Sequence, residues 1–278
     1  MPYLVRVVER SGNFIKLLFK DVPLSLLNAV RRAAMEYVPT MAVDFVVFDN
    51  NTSVLHDEIV AHRLGLIPLD SNEALRRYKS PEECADVSPE ESAECYAVLS
   101  LRDSAREGEV KTIYSNNLNP VTDPDVKPVY GNIPLVVLGP KQEISLEAYA
   151  RLGRGVEHIK WSPVTTSTVT HSARLCVRQE LCNLCGRCVE VCPRGALTLS
   201  EGRVVTHEEN CILCRQCLRV CPTEAIDLSS KEDEFYLVIE SSGALRPEVI
   251  IAEAFKVIIS KLDAFLSALD SIKVQGGE

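Results

Sequence analysis

Eight cysteines between Cys182 and Cys221 are the residues of this sequence best placed to do chemistry. They fall in two runs, CNLCGRCVEVCP and CILCRQCLRVCP, each a C-x2-C-x2-C-x3-C-P pattern. Soft thiolates two residues apart can converge from one turn of backbone on a 4Fe–4S cube. The fourth Cys of each run, held off by the following Pro, reaches the other cube. This wiring puts Cys182, Cys185, Cys188 and Cys221 on one cluster, and Cys211, Cys214, Cys217 and Cys192 on a second. Zinc and disulfides are the competing readings. Paired C-x2-C can build a four-thiolate zinc site, but the third thiol and closing C-P of each run have no use there. Disulfides fit poorly with such short, repeated spacings in a chain without an evident secretory signal.

The elements around the cysteines repeat with them. CNLCGRCVEVCPRGALTL and CILCRQCLRVCPTEAIDL lie 29 residues apart, from Cys182 to Cys211, so two half-domains related by pseudo-symmetry are expected. LTLSEGRVVT between them reads as a hairpin. No Phe, Tyr or Trp lies between Trp161 and Phe235, so a module at 174–229 has little apolar core and should depend on its metal. Cys176 lies outside both runs as a buried or spare thiol. Cys84 and Cys95, in the acidic loop SPEECADVSPEESAEC, are expected as free thiols in a reducing cell. A disulfide or half of a lost metal site are the alternatives.

Elsewhere the patterning is mixed. Residues 3–9 and 14–19 read as a hairpin around Ser11-Gly12-Asn13. A helix capped by Asp21 follows, with Leu24, Leu27, Val30, Ala34 and Tyr37 on one stripe and Pro39 ending it. Strands are expected at 40–50, 96–103, 110–114, 133–138, 163–175 and 234–243, and helices at 55–64 and 143–155. His56 and His62 stand six apart, on different faces of a helix, and cannot pair as metal ligands. Asp123-Pro124-Asp125 reads as a turn. From Pro247 a long helix carries Ile251, Phe255, Ile258, Leu262, Phe265 and Leu269 at a strict seven-residue repeat, with Ile259 and Leu266 widening the stripe. Such a face wants a partner helix, burial against the first helix of the chain, or both.

The 278 residues suit about two domains. No apolar run approaches the ~20 residues of a membrane span, so a cytoplasmic protein is expected. A net charge of -9 argues against strong direct nucleic-acid binding by this chain. No G-x4-G-K-[ST] motif is present.

Residues 28–69, NAVRRAAMEYVPTMAVDFVVFDNNTSVLHDEIVAHRLGLIPL, resemble the signature of the α-like subunits of cellular RNA polymerases, in particular the D-type α-like subunits of archaeal polymerases. Several of those subunits carry a ferredoxin-like insertion, so the resemblance covers nearly the whole chain. It implies an α+β fold: a split dimerisation domain (1–40 plus 236–278), interrupted by a mixed α/β insert domain (41–173) and a ferredoxin-like domain (174–229) with two 4Fe–4S clusters. It also implies a non-catalytic subunit of a nucleotidyltransferase complex. Such a subunit pairs with a small α-like subunit L and, with subunits N and P, forms the platform for the large catalytic subunits. Leu27, Arg31, Arg32, Ile251, Phe255, Ile258 and Leu262 are the candidate partner interface. His62, Arg63 and Leu64 join the two arginines as candidate contacts to the large subunits, a solvated helix face being the alternative. The competing function is an electron-transfer subunit of an oxidoreductase, which leaves residues 28–69 unexplained and finds no flavin, nicotinamide or haem motif.

Overall fold

A computed structural model describes residues 3–85, 87–88 and 92–275, the last five by backbone alone. Two compact units divide the chain. Met1–Arg10, Lys16–Asn28 and Thr168–Val238 form one, and Ser11–Ile15, Ala29–Ser167 and Ile239–Glu278 the other.

The chain opens with β1 (Leu4–Ser11) and β2 (Phe14–Lys20), joined at Gly12-Asn13. The left-handed φ of Gly12, +49°, closes this turn with two residues, inside the Ser11-Gly12-Asn13 stretch expected. Helix α1 (Leu24–Glu36) starts three residues beyond Asp21. Asp21 is therefore not its cap: its own backbone is left-handed and donates to the carbonyl of Asp233, while the Pro23 carbonyl takes the first helical bonds. Leu27, Val30 and Ala34 are fully buried on the stripe, and Leu24 is exposed.

The second unit is built on a sheet of order β3-β8-β4-β6, made of β3 (Thr40–Asn51), β8 (Glu143–Gly153), β4 (Tyr96–Ser104) and β6 (Asn119–Pro120). Each neighbouring pair in it runs antiparallel. A two-stranded sheet pairs β5 (Lys111–Tyr114) with β7 (Pro134–Leu138), and α2 (Asp57–Gly65) and α3 (Ala74–Arg77) complete this body.

β8 corrects the helix expected at 143–155. Ile144, Leu146, Ala148, Ala150 and Leu152 are buried and alternate with more exposed residues. That period of two belongs to a strand, and pairing on both edges overrides the helix propensity of Glu, Leu and Ala. At the end of β8 the side-chain-free Gly153 lets the Trp161 ring pack where a Cβ would lie 2.3 Å from it. Arg151 and Lys160 flank that ring at 4.4 and 4.2 Å and both pair with Asp44, at 2.8 and 2.7 Å.

β9 (Val164–Val177) leads into the cysteine module and β12 (Ile226–Ser241) leaves it. Both belong to a sheet of order β1-β2-β12-β9. The module holds α4 (Arg187–Glu190), the hairpin of β10 (Leu197–Ser200) and β11 (Arg203–Thr206), and α5 (Gln216–Val220). Long helix α6 (Pro247–Gln275) ends the described chain. Among the described residues no helix is long and apolar enough to cross a membrane.

Candidate metal centre and the residues around it

The repeat seen in the sequence recurs atom by atom in the module. The amide of Arg178 donates to Ala225 O at 2.8 Å, and that of His207, its equivalent 29 residues on, donates to Ala196 O at 2.8 Å. Cys182 N bonds Gln179 O at 3.2 Å, and Cys211 N bonds Glu208 O at 3.1 Å. Left-handed backbone falls at matching places too: Leu184 and Leu213, Gly186 and Arg215, Gly195 and Glu224. Four of these six are not glycine, and each such residue costs about 1 kcal/mol or more. The alternation of hand turns successive N–H groups to one side, the arrangement that cradles anions, iron–sulfur groups among them.

Cys192, Cys211, Cys214 and Cys217 line one cavity, with Arg194 and Arg215 at its wall. Cys188 lies within electrostatic reach of Cys182 and Cys185. Among the described residues no three His, Cys, Asp or Glu side chains converge on a point for a single ion. A spread of sulfurs round a cavity suits a polynuclear cluster better than one zinc, whose four sulfurs crowd to about 2.3 Å of one centre. Burial pushes the Cys188, Cys211 and Cys217 thiols above their ordinary range. Burial acts on Cys221 in the same direction. Hydrogen bonds from the Ala225 amide and from the side chain and amide of Thr223 outweigh it, so this thiol lies below its ordinary value. Amides also reach the fourth sulfurs symmetrically, Ala196 N to Cys192 Sγ at 3.2 Å and Ala225 N to Cys221 Sγ at 3.3 Å. Such bonds favour the thiolate that a metal needs. In donor type, spread and backbone, these residues fit an iron–sulfur group.

The other cysteines depart from expectation. Cys84 and Cys95 form a disulfide rather than standing free. Their Cα atoms are 5.7 Å apart, within bridging range, and both are buried with Tyr96 and Val87, out of easy reach of a reductant. Cys176 is exposed, not buried. Asp123 and Asp125 are clasped by Arg77 at 2.9 and 2.7 Å in an Asx-type turn, Asp125 N bonding Asp123 Oδ1 at 3.0 Å. Burial, then the Asp123 charge, pushes Tyr78 beside it up to about 12.

The seven candidate interface residues divide by exposure. Leu27 has no exposed surface and Ile251 is 9% exposed, so both belong to this chain's own core. Phe255 and Ile258 are half-buried. Leu262 is 57% exposed, and beyond the seven so are Ile259, Phe265 and Leu266, at 57, 60 and 57%. The apolar face thus emerges about two turns later along α6 than expected. The heptad spacing carried the signal for Phe265 and Leu269, but spacing alone does not say where a helix leaves its own core. Arg31 is half-buried with a guanidinium nitrogen 3.4 Å from Met35 Sδ, and Arg32 is exposed with Glu36 at 3.4 Å. Leu64 is fully buried, and Arg63 donates to Leu135 O at 2.6 Å. His62 faces a cleft with Asp44, His158 and Lys160.

Residues 45–169 match the family described as RNA polymerase Rpb3/RpoA insert domain, and residues 181–225 match the 4Fe-4S dicluster domain. The chain is 36% identical to DNA-directed RNA polymerase subunit Rpo3 of Aeropyrum pernix, over 98% of this chain and 96% of the relative. The chain belongs to the Rpo3 family. The Rpo3 of Methanothermobacter thermautotrophicus is 36% identical over 95% of this chain and 97% of its own length. That of Pyrobaculum arsenaticum is 36% identical over 99% and 98%. These relatives are subunits of DNA-directed RNA polymerase, a nucleotidyltransferase complex, and all three carry the name Rpo3 in place of the D-type name expected. The dicluster match, with the donor set above, supports iron–sulfur binding by the module.

Proposed function

We propose that this chain is a non-catalytic assembly-platform subunit of DNA-directed RNA polymerase, in the role expected of a D-type α-like subunit. It pairs with the small α-like subunit L, is joined by subunits N and P, and receives the large catalytic subunits, in the cytoplasm. The observation that carries this reading is the bare apolar face of α6, from Ile259 to Leu269, on a chain with Rpo3 relatives along nearly its whole length. Covering this face with a partner removes apolar area from water at about 25 cal/mol per Å², a gain that works against the cost of association. The electron-transfer alternative is not favoured, because it leaves that face and residues 45–169 without a role.

The division into dimerisation (1–40 plus 236–278), insert (41–173) and ferredoxin-like (174–229) domains belongs to this proposal. So does the binding of two 4Fe–4S clusters, one held by Cys182, Cys185, Cys188 and Cys221, the other by Cys211, Cys214, Cys217 and Cys192. When bound, such clusters cross-link distant thiolates and respond to electrons and oxygen. The chain's part is to hold the thiolates with the Ala196 and Ala225 amides and to limit water around Cys188 and Cys217. The clusters thereby stabilise the insertion or tie assembly to redox state.

The deciding experiment is the native mass of the anaerobically purified chain co-expressed with a small α-like partner. A 1:1 heterodimer is expected, and Leu262→Asp should weaken it at least tenfold, the equivalent of about 1.4 kcal/mol. A chain that stays alone, or a Leu262→Asp variant that pairs as well as wild type, would sink the platform reading.

A further inference from the structure

The pseudo-twofold repeat contains one side-chain pair that breaks it. Gln179 in the first half donates through Nε2 to Val204 O, at 3.0 Å. The equivalent positions in the other half are Glu208 and Leu175, and there Glu208 Oε1 accepts from Leu175 N, at 3.0 Å. The two contacts are counterparts, but one side chain is a neutral amide and the other a carboxylate. Only the carboxylate draws a cation. Lys231, on β12, reaches Glu208 at 3.0 Å and Glu234 at 3.1 Å, and Lys20 of β2 reaches Glu234 at 3.5 Å. The next residue repeats the asymmetry: Lys16 of β2 donates to Glu209 O at 2.9 Å while its ammonium lies 4.3 Å from the centre of the Tyr236 ring of β12. Among the described residues no side-chain cation reaches the carbonyl of Glu180, the counterpart of the Glu209 carbonyl that Lys16 holds, and Gln179 bonds within the module.

We infer that Glu208, Lys231 and Lys16 are positioning residues for the second cysteine run, so that the cluster on Cys211, Cys214 and Cys217 is mechanically joined to β2 and β12. The cluster on Cys182, Cys185 and Cys188 is a local staple. Glu208 closes the turn whose last amide belongs to Cys211, so displacement of that thiolate pulls directly on the Lys231 bond. Among the described residues the first run has no such side-chain tie, although Cys221 lies five residues before β12 along the chain. Two clusters with similar ligands therefore have different reach: loss of one is transmitted to the strands beside it, and loss of the other is absorbed inside the module. This inference deepens the proposed function and rests on its two-cluster reading.

Hydrogen exchange on the anaerobically loaded full-length chain, with iron content measured on each sample, tests it. Cys214→Ser should raise exchange several-fold in peptides covering Phe14–Lys20 and Ile226–Val238, and Cys185→Ser should leave those peptides at wild-type rates. Glu208→Gln imposes the first half's chemistry on the second. With both clusters loaded it keeps an acceptor for Leu175 N, loses the ion pair, and should raise exchange in the same peptides, more so when combined with Lys16→Met. Equal effects of Cys185→Ser and Cys214→Ser, or full protection in the loaded Glu208→Gln/Lys16→Met variant, would overturn the inference. Iron for one cluster in the wild-type chain would remove the two-cluster reading instead, so the two failures are told apart.

Discussion

The body sheet at residues 40–153 and the cysteine module reach order by different means. Around β3, β8 and β4, twenty-two buried side chains from Met41 to Leu152 form one cluster dominated by Leu, Ile, Val and Ala. In the module the corresponding cluster has seven buried members, two of them the metal-binding candidates Cys188 and Cys217. At about 25 cal/mol per Å² of apolar area the first is a self-sufficient core. The second is too small to offset the ordering of some fifty residues at roughly 1–2 kcal/mol each. Its left-handed Leu213, Arg215 and Glu224 add to the cost. The lesson is that one chain can join a body held by water's exclusion to a module held by its ligands, and the two should fail under different insults.

The sharpest way to break that comparison is to strip iron with a chelator. Complete loss of exchange protection is expected across 182–221, with protection at 96–104 and 144–152 unchanged; a body that unfolds together with the module would erase the distinction. Next in size, the Cys84→Ser/Cys95→Ser variant should lose about 2–3 kcal/mol of body stability in denaturant unfolding, because the short closed loop no longer restricts the unfolded chain. Its cluster absorption should be untouched. Gly153→Ala should cost the body about 1–3 kcal/mol, read the same way, since the new methyl meets the Trp161 ring. The smallest effect is acid sensitivity at Asp44. Burial favours its neutral form, but bonds from Lys160 and Arg151 outweigh this and hold its carboxyl below its ordinary value of 3.8. The stability it contributes is therefore full above that ordinary value and lost as pH falls through the depressed one. Asp44→Asn should flatten this part of the acid-unfolding curve, with about 1 kcal/mol lost at neutral pH.

Legibility from sequence followed the same divide. The cysteine runs stand out, because thiolate chemistry demands a rigid spacing, and the repeat carried the module's hairpin with it. The long helix was legible from its heptads, yet its exposed stretch was not, since burial depends on what the rest of the fold covers. β8 was misread because Glu, Leu, Ala and Arg favour helices, while the telling alternation Ile144-Leu146-Ala148-Ala150-Leu152 has two small alanines that barely register as apolar. They are small because β8 lies between β3 and β4 over a filled core. Cys84 and Cys95 could not be paired from spacing, as a disulfide is decided by Cα distance and access, which the loop's sequence does not encode.

β8 has a consequence for how this family can vary in length. It pairs along one edge with ten residues of β3 and along the other with nine of β4. A single residue inserted or deleted inside 144–152 would turn the inward side chains on one side of it outward, on both registers at once. β3 already absorbs its irregularities as bulges at Val43/Phe45 and Phe48/Asn50, an option the doubly paired strand lacks. When many relatives are aligned, gaps should therefore gather in the connections at 105–110 and 121–133, and the nine positions of 144–152 should keep their number, with letters changing mainly at the outward positions.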